Sequence, residues 1–321
     1  MSQDIEDVVS LDTQSERTHQ NTQGYVKTTA KQVREDLLSQ KGYQAHDFCK
    51  ETINNVLNRL GYTLKKVRKT LPLKRIEATE AIFTNIAKHR KAKNKGVLKI
   101  SIDVKDKVKV GKLSRDGYHR GKQQVLALDK DQHWEASLVP LGILEIDSSK
   151  STIIVGNSYE TADFIVDGLA TWYEMRKEDL KNYHTLEIYL DNGPSVSGRR
   201  SQFINRIMEF ACITNLKIRL LYYPPYHSKY NPIERVWAAV ENYWNGTLLT
   251  STQKVIYTLC NVTWKNIKLT ALLIDKVYQK SVKLSKKQMI KREKLIQRNP
   301  QLPYWDILIT PSWEMGKLFI E

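Results

Sequence analysis

Cysteine is scarce in this chain. Cys49, Cys212 and Cys260 are odd in number and far from one another. That excludes a disulfide framework, gives no pair at zinc-ligand spacing, and suits a reducing cytoplasm. Long apolar runs are missing too. No stretch approaches the roughly 18 residues that cross a bilayer. The opening MSQDIEDVVSLDTQSERTHQ has neither the basic start nor the apolar stretch of a secretory leader. No membrane partner is expected. Acid is in short supply as well: 35 Asp and Glu face 51 Lys and Arg, a net charge of +16. Such an excess points to a polyanionic partner, nucleic acid first among them.

The excess is patterned. Arg59 to Arg75 holds seven Lys or Arg and no acid, and Lys88 to Lys99 holds six and no acid. Lys276 to Arg298 holds nine against the single Glu293. Any one run is open to a plain reading as a solvated face. Three in one chain favour a surface that neutralises phosphates.

Residues 1–24 are polar and are expected to be disordered. TTAKQVREDLLSQKG reads as a helix, with Thr29 and Gln32 at capping-box spacing and an apolar edge of Val33, Leu37 and Leu38. CKETINNVLNRLG reads as a second, with Lys50, Asn54, Asn55, Asn58 and Arg59 on its polar side. The pair fits the later part of a helix-turn-helix or winged-helix module, and fits a generic helical hairpin equally well. IEATEAIFTNIAKHRK is a further helix that runs into a basic linker, and the composition changes at Gly96. GVLKISIDVKDKV, KQQVLALDK, SLVPLGILEI and STIIVGN then read as strands of an antiparallel meander. Helix TADFIVDGLATWYEMRKED, strand HTLEIYLDNGP, helix RRSQFINRIMEFACI, strand LKIRLLYYPP and helix NPIERVWAAVENYWNG follow. A meander followed by alternating elements predicts an α/β fold, a mixed sheet flanked by helices. Residues 250–298 read as helical and basic.

Three acids fall where such a sheet gathers its ligands. Asp103 lies within a strand of Ile, Val and Lys, where an acid needs a partner. Asp191 ends a strand at a carboxyl edge. Glu234 opens a helix: Asn231 suits the N-cap, Pro232 the first helical position and Glu234 the third. Each has a plain alternative, respectively a strand-edge charge, an Asx turn over Asn192-Gly193 and a capping box. Asp106 competes with Asp103, but its three-residue offset points it to the other face of a strand. Carboxylates from separate elements suit Mg²⁺, which takes oxygen ligands and acts in pairs in phosphodiester displacement.

The segments ISIDVKDKVKVG, GILEID, ETADFIVDGL, IYLDNGP and YYPPYHSKYNPIERVWAAVENYWNGTLL carry a family likeness. From about Thr28 to Pro311 the chain resembles the bacterial insertion-sequence DDE transposases of the mariner-like superfamily, in the subgroup with a long C-terminal extension. The resemblance implies an RNase-H-like fold and a metal-binding catalytic triad of Asp103, Asp191 and Glu234 holding two Mg²⁺, with Mn²⁺ able to substitute. The stretch between Asp191 and Glu234 is longer than is usual in the mariner type. Tyr226, His227, Ser228, Lys229, Asn231 and Pro232 are then expected to shape the loop beside the metals and, with Asn192, to meet DNA; for His227 a simple loop hydrogen bond is an equal alternative. Lys65, Lys66, Arg68 and Lys69 are expected to hold DNA from the helical module.

The organisation implied is a disordered start (1–24), a helical DNA-binding module with its linker (25–95), the catalytic domain (96–248) and a basic helical extension (249–321). The implied partners are element ends and target DNA, with a homodimer or larger assembly on them in the bacterial cytoplasm, at the nucleoid. Relatives carry a further helix-turn-helix segment ahead of the matching part. A chain that enters mid-module is expected to be shortened at its start, and a non-catalytic DNA-binding remnant is the alternative function.

Overall fold

Short helices with apolar residues three and four apart open the chain. The computed structural model describes residues 1–11, 28–65, 76–129 and 133–319. They fall into two units, Met1–Leu71 and Pro72–Glu321. In the first, α1 (Ser2–Leu11), α2 (Ala30–Gln40) and α3 (Lys50–Arg59) enclose a core that includes Ile5, Val9, Leu37, Ile53 and Val56. Thr29 caps α2, its hydroxyl accepting the Gln32 amide at 3.2 Å. Helix α1 corrects the disorder expected for residues 1–24. Ile5, Val8 and Val9 give it an apolar edge that α2 packs against, while residues 12–24 lie outside the described residues. Lys50, Asn54, Asn55, Asn58 and Arg59 are exposed on α3.

The second unit begins with α4 (Thr79–Lys91), β1 (Val97–Val104), β2 (Val108–Val110), β3 (Ala136–Glu145) and β4 (Ser151–Gly156). There follow α5 (Ala162–Leu180), β5 (Thr185–Leu190), α6 (Ser201–Thr214), β6 (Lys217–Tyr222) and α7 (Glu234–Trp244). The remainder comprises α8 (Thr252–Asn261), β7 (Thr263–Trp264), β8 (Ile267–Lys268), β9 (Thr270–Ile274), α9 (Lys286–Glu293), β10 (Ile296–Arg298), β11 (Asp306–Ile309) and α10 (Trp313–Lys317). The main sheet runs β10-β11-β6-β5-β1-β3-β4-β9. β1, β3 and β4 pair antiparallel, and β1, β5 and β6 parallel. Three antiparallel strands followed by helix, strand, helix, strand, helix make this an RNase-H-like fold. Side-chain alternation splits the core into two faces. Ile100, Leu141, Ile188 and Leu220 pack under α5 and α6. Leu144, Ile153 and Val155 pack under α7 and α8, and Tyr189 and Leu221 under α4.

Three expectations need correction. The sequence groups α4 with the DNA-binding module, but Ile82 and Ile86 bury against Tyr189, Leu221 and Tyr223, so α4 packs on the sheet. KQQVLALDK forms no strand among its described residues: Val125, Leu126 and Leu128 are exposed, and a single bridge joins Leu113 to Leu128. The start of β3 is already paired with β2, Val108 opposite Leu138 and Val110 opposite Ala136. Residues 249–321 are not a helical extension. Their short β-branched and aliphatic runs supply β9 to one edge of the sheet, beside β4, and β10 and β11 to the other, beside β6. No helix of the described residues is long and apolar enough to cross a membrane.

Candidate active site

β1 sends Leu98, Ile100 and Ile102 into the core under α5 and α6. Its alternate residues, Lys99, Ser101 and Asp103, therefore face α4 and α7, and each is answered there. Lys99 donates to the carbonyl of Arg90 at 3.2 Å and to that of Ala92, where the C-terminal end of α4 is negative. Ser101 donates to Oδ1 of Asn231 and accepts the Ile233 amide at 3.0 Å. Asp103 accepts the indole N–H of Trp237 on Oδ2 at 2.9 Å. The ring has room because Gly142 lies opposite Asp103 on β3; a Cβ there would sit 2.6 Å from Cζ2 of Trp237.

Asp191 follows β5 directly. Carrying the parallel register two places past Ser101 and Tyr189 sets Asp103 beside Asp191. Asp191 accepts the Gly193 amide on Oδ1 at 3.2 Å, so the Asx turn is present too. Asn192 is half-buried, and its Oδ1 is buried with no hydrogen-bond partner.

Glu234 is the first residue of α7, which corrects its expected place as the third residue of a helix capped by Asn231. The Asn231 side chain is engaged elsewhere: Oδ1 takes the Ser101 hydroxyl, and Nδ2 donates to the Ile102 carbonyl at 2.8 Å. Its backbone carbonyl accepts the Glu234 amide at 3.1 Å. The loop is thereby fastened to the strand that carries Asp103.

The rest of that loop divides by exposure. His227 and Asn231 are buried, at 3% and 1%. His227 pairs Nδ1 with the Pro225 carbonyl at 2.7 Å and packs between Phe83 and Tyr230. Both residues hold the loop. Tyr226, Ser228 and Lys229 are exposed, and Tyr226 holds a positive φ of 65°. Lys65 is exposed in the first unit, whereas Lys66, Arg68 and Lys69 lie outside the described residues.

Electrostatics ties the acids together. Burial, then the carboxylates of Asp191 and Glu234, push the Asp103 carboxyl up to about 8, with Glu160 adding to it and the Trp237 bond opposing. Burial raises Asp191 as well, against the pull of the Gly193 amide. A cavity of about 110 Å³ lies between Asp103 and Asp191, lined also by Leu141, Ile165, Leu190 and Glu160. Burial and Asp191 raise Glu160 too, against a bond from Ser195 and the charge of Lys107. Glu160 and Trp237 escaped sequence reasoning. Glu160 stands one residue before the Thr161 cap of α5, a carboxylate at a strand-to-helix turn like Asp191. Trp237 is indistinguishable by pattern from its apolar neighbours on α7.

A mixed sheet with acids at its central strand ends defines an RNase-H-like domain. The model of the Rhodopirellula transposase DDE domain family matches residues 4–311, and the chain belongs to that family. Among solved structures, the chain is similar to a Mos1 transposase paired-end complex with the left transposon end, at 12% identity over 79% of this chain and 68% of that one, TM-score 0.42. It is similar to a pre-cleavage Mos1 transpososome, at 12% identity over 75% and 72%, TM-score 0.41. It is similar also to the Mos1 mariner paired end complex with Mn, at 12% identity over 71% and 64%, TM-score 0.44. No curated protein sequence matches the chain.

Proposed function

We propose that this DDE transposase cuts phosphodiester bonds at the ends of a mobile element and joins the freed 3′-hydroxyl to target DNA. Asp103, Asp191 and Glu234 are its metal-binding carboxylates. The observation that carries this reading is their convergence: acids from β1, the end of β5 and the start of α7 stand close enough that Asp191 and Glu234 add to the burial that lifts Asp103 to about 8. Nearby positive charge would relieve that repulsion, and an all-oxygen donor set suits Mg²⁺ or Mn²⁺. Among the described residues, no three His, Cys, Asp or Glu side chains converge on one point as they stand. Holding one ion with all three would require their side chains to turn toward one another. When bound, a pair of such ions activates an attacking oxygen and stabilises the leaving one.

The chain's own residues orient the acids. Trp237 holds one oxygen of Asp103 and leaves the other for the cavity. Ser101 and Asn231 set the start of α7, and with it Glu234, against β1. Ser228 and Lys229 line the exposed part of the loop for DNA phosphates, and Lys65 to Lys69 serve the same end in the first unit. Two element ends have to be joined, so the working form is a homodimer or larger assembly on DNA.

The test is cleavage of the DNA flanking this gene in Mg²⁺, wild type against Asp191→Asn. Cleavage and a strand-transfer product from the wild type alone are the expected result. Cleavage without joining would leave a nuclease. Equal binding by both forms with no cut from either would sink the catalytic reading.

A further inference from the structure

A second cavity, of about 200 Å³, lies between the N-terminal end of α5 and the segment that links β9 to α9. It shares Glu160 with the cavity of Asp103 and Asp191, so the two adjoin. Its lining collects three cations from three parts of the chain. Lys107 comes from the loop after β1, Arg200 from the start of α6 and Lys280 from the linking segment. The hydroxyl of Ser195 and the amides of Gln202 and Gln279 complete the polar wall. The acid on that wall, Asp163, is engaged by Gln202 at 2.8 Å and Arg206 at 3.6 Å. With Glu160 the remaining acid, the lining is net positive.

The linking segment is fastened along its length. Ser158 donates to the Lys276 carbonyl at 3.0 Å and accepts the Tyr278 amide at 3.3 Å. The Tyr278 hydroxyl donates to Asp167 at 2.9 Å. Arg200 donates to the Val282 carbonyl at 3.1 Å, and Ser201 accepts the Leu284 amide at 3.2 Å. Lys280 rests its ammonium 3.9 Å from the centre of the Tyr159 ring. Hydrogen bonds at both ends of an otherwise irregular segment hold a lysine at the mouth of a cation-lined cavity beside the paired acids.

We propose that this cavity is a phosphodiester subsite. It takes a phosphate of the DNA strand adjoining the bond presented to Asp103 and Asp191. The proposal rests on the transposase reading above and supplies it with a strand path. Carboxylates repel a DNA backbone in the absence of cations, and a positive cavity on the next phosphate offsets this.

The experiment measures binding of element-end DNA by fluorescence anisotropy, without divalent ions, across a salt series. It compares wild type, Lys107→Gln, Lys280→Gln, Lys280→Arg and, as a control at the far end of α5, Lys181→Gln. One phosphate contact contributes roughly 0.7–0.9 to the slope of log K against log salt. Each of the first two glutamine variants is expected to lose about that much, Lys280→Arg to keep it, and the control to match wild type. A neutral methylphosphonate walked along each strand then names the phosphate. Wild type weakens at one position beside the cut, and Lys280→Gln is indifferent there. Unchanged slopes in both Lys107→Gln and Lys280→Gln, or equal methylphosphonate sensitivity in wild type and Lys280→Gln, overturn the subsite. A wild type that shows the position-specific effect yet never cuts in Mg²⁺ keeps the subsite and removes the catalytic reading instead.

Discussion

Asp103→Asn is expected to stabilise the fold while it abolishes cleavage. Burial and the neighbouring acids hold the Asp103 carboxyl at about 8, against about 3.9 in an unfolded chain. A carboxyl raised in this way binds its proton more tightly when folded. It takes nothing from stability below about pH 4 and removes stability as pH climbs from about 4 to about 8. Each pH unit in that window is worth about 1.4 kcal/mol, so the loss by pH 7 reaches about 4 kcal/mol. Rotation of the acids toward water returns part of this, leaving an expected gain of about 2 kcal/mol for the neutral variant, or roughly 4–8 °C in Tm for a unit of this size. Asparagine keeps an oxygen for the Trp237 indole. The assay is a pair of thermal melts at pH 5 and pH 8, with EDTA, for both proteins. Wild type should lose more stability between the two pH values than the variant, in which Asp191 and Glu160 are still raised, and the variant should end the more stable. Mg²⁺ should then raise wild type at pH 8 and leave the variant unmoved. A wild type whose Tm is flat with pH, or a variant that melts first at pH 8, refutes the reasoning.

Gly142→Ala should destabilise by about 1–3 kcal/mol in urea, the usual cost of overpacking, because the new Cβ meets Trp237 at 2.6 Å. Cleavage should fall with it, since Trp237 orients Asp103. Asn231→Ala should cost about 1–3 kcal/mol by leaving the Ser101 hydroxyl and the Ile102 carbonyl unmatched. Single-turnover cleavage should drop more than DNA affinity, and Asn231→Asp should not rescue it, because the Ile102 carbonyl needs a donor.

The catalytic-unit fold was legible because its strands carry period-two patterns and its helices period-3.6 patterns. β1, β3, β4, β5 and β6 could each be read from alternating or continuous apolar runs. The misreadings share a cause. KQQVLALDK has the composition of a strand, but pairing is settled by which edge is free, and β2 had taken that edge of β3. The strands near the C-terminus were hidden because β10 and β11 are only three and four residues long and β10 follows a lysine-rich stretch. α1 was hidden because three apolar residues in a polar stretch form an edge only when α2 is there to cover it. The acids were legible one by one. Their gathering was expected from the sheet edge and the family resemblance, while the pairing of Asp103 with Asp191 needed the register of β1 against β5.

The polar residues of β1 explain why the site stands where it does. Lys99, Ser101 and Asp103 share one face of a central strand, so each must find a partner or cost stability. Lys99 is 6% exposed and is satisfied by the end of α4; Ser101 is fully buried and is satisfied by Asn231 and Ile233. These two fasten α4 and α7 to the sheet. Asp103 comes last, where the strand reaches its carboxyl edge, and its surroundings differ in sign. It receives one donor, Trp237, and faces Asp191, Glu234 and Glu160. A structural acid in that place would be matched by a cation of the protein, as Asp306 is by Arg219 at 2.8 Å on β6. At Asp103 no cation among the described residues does so, which is the gap that the proposed metal ions would fill.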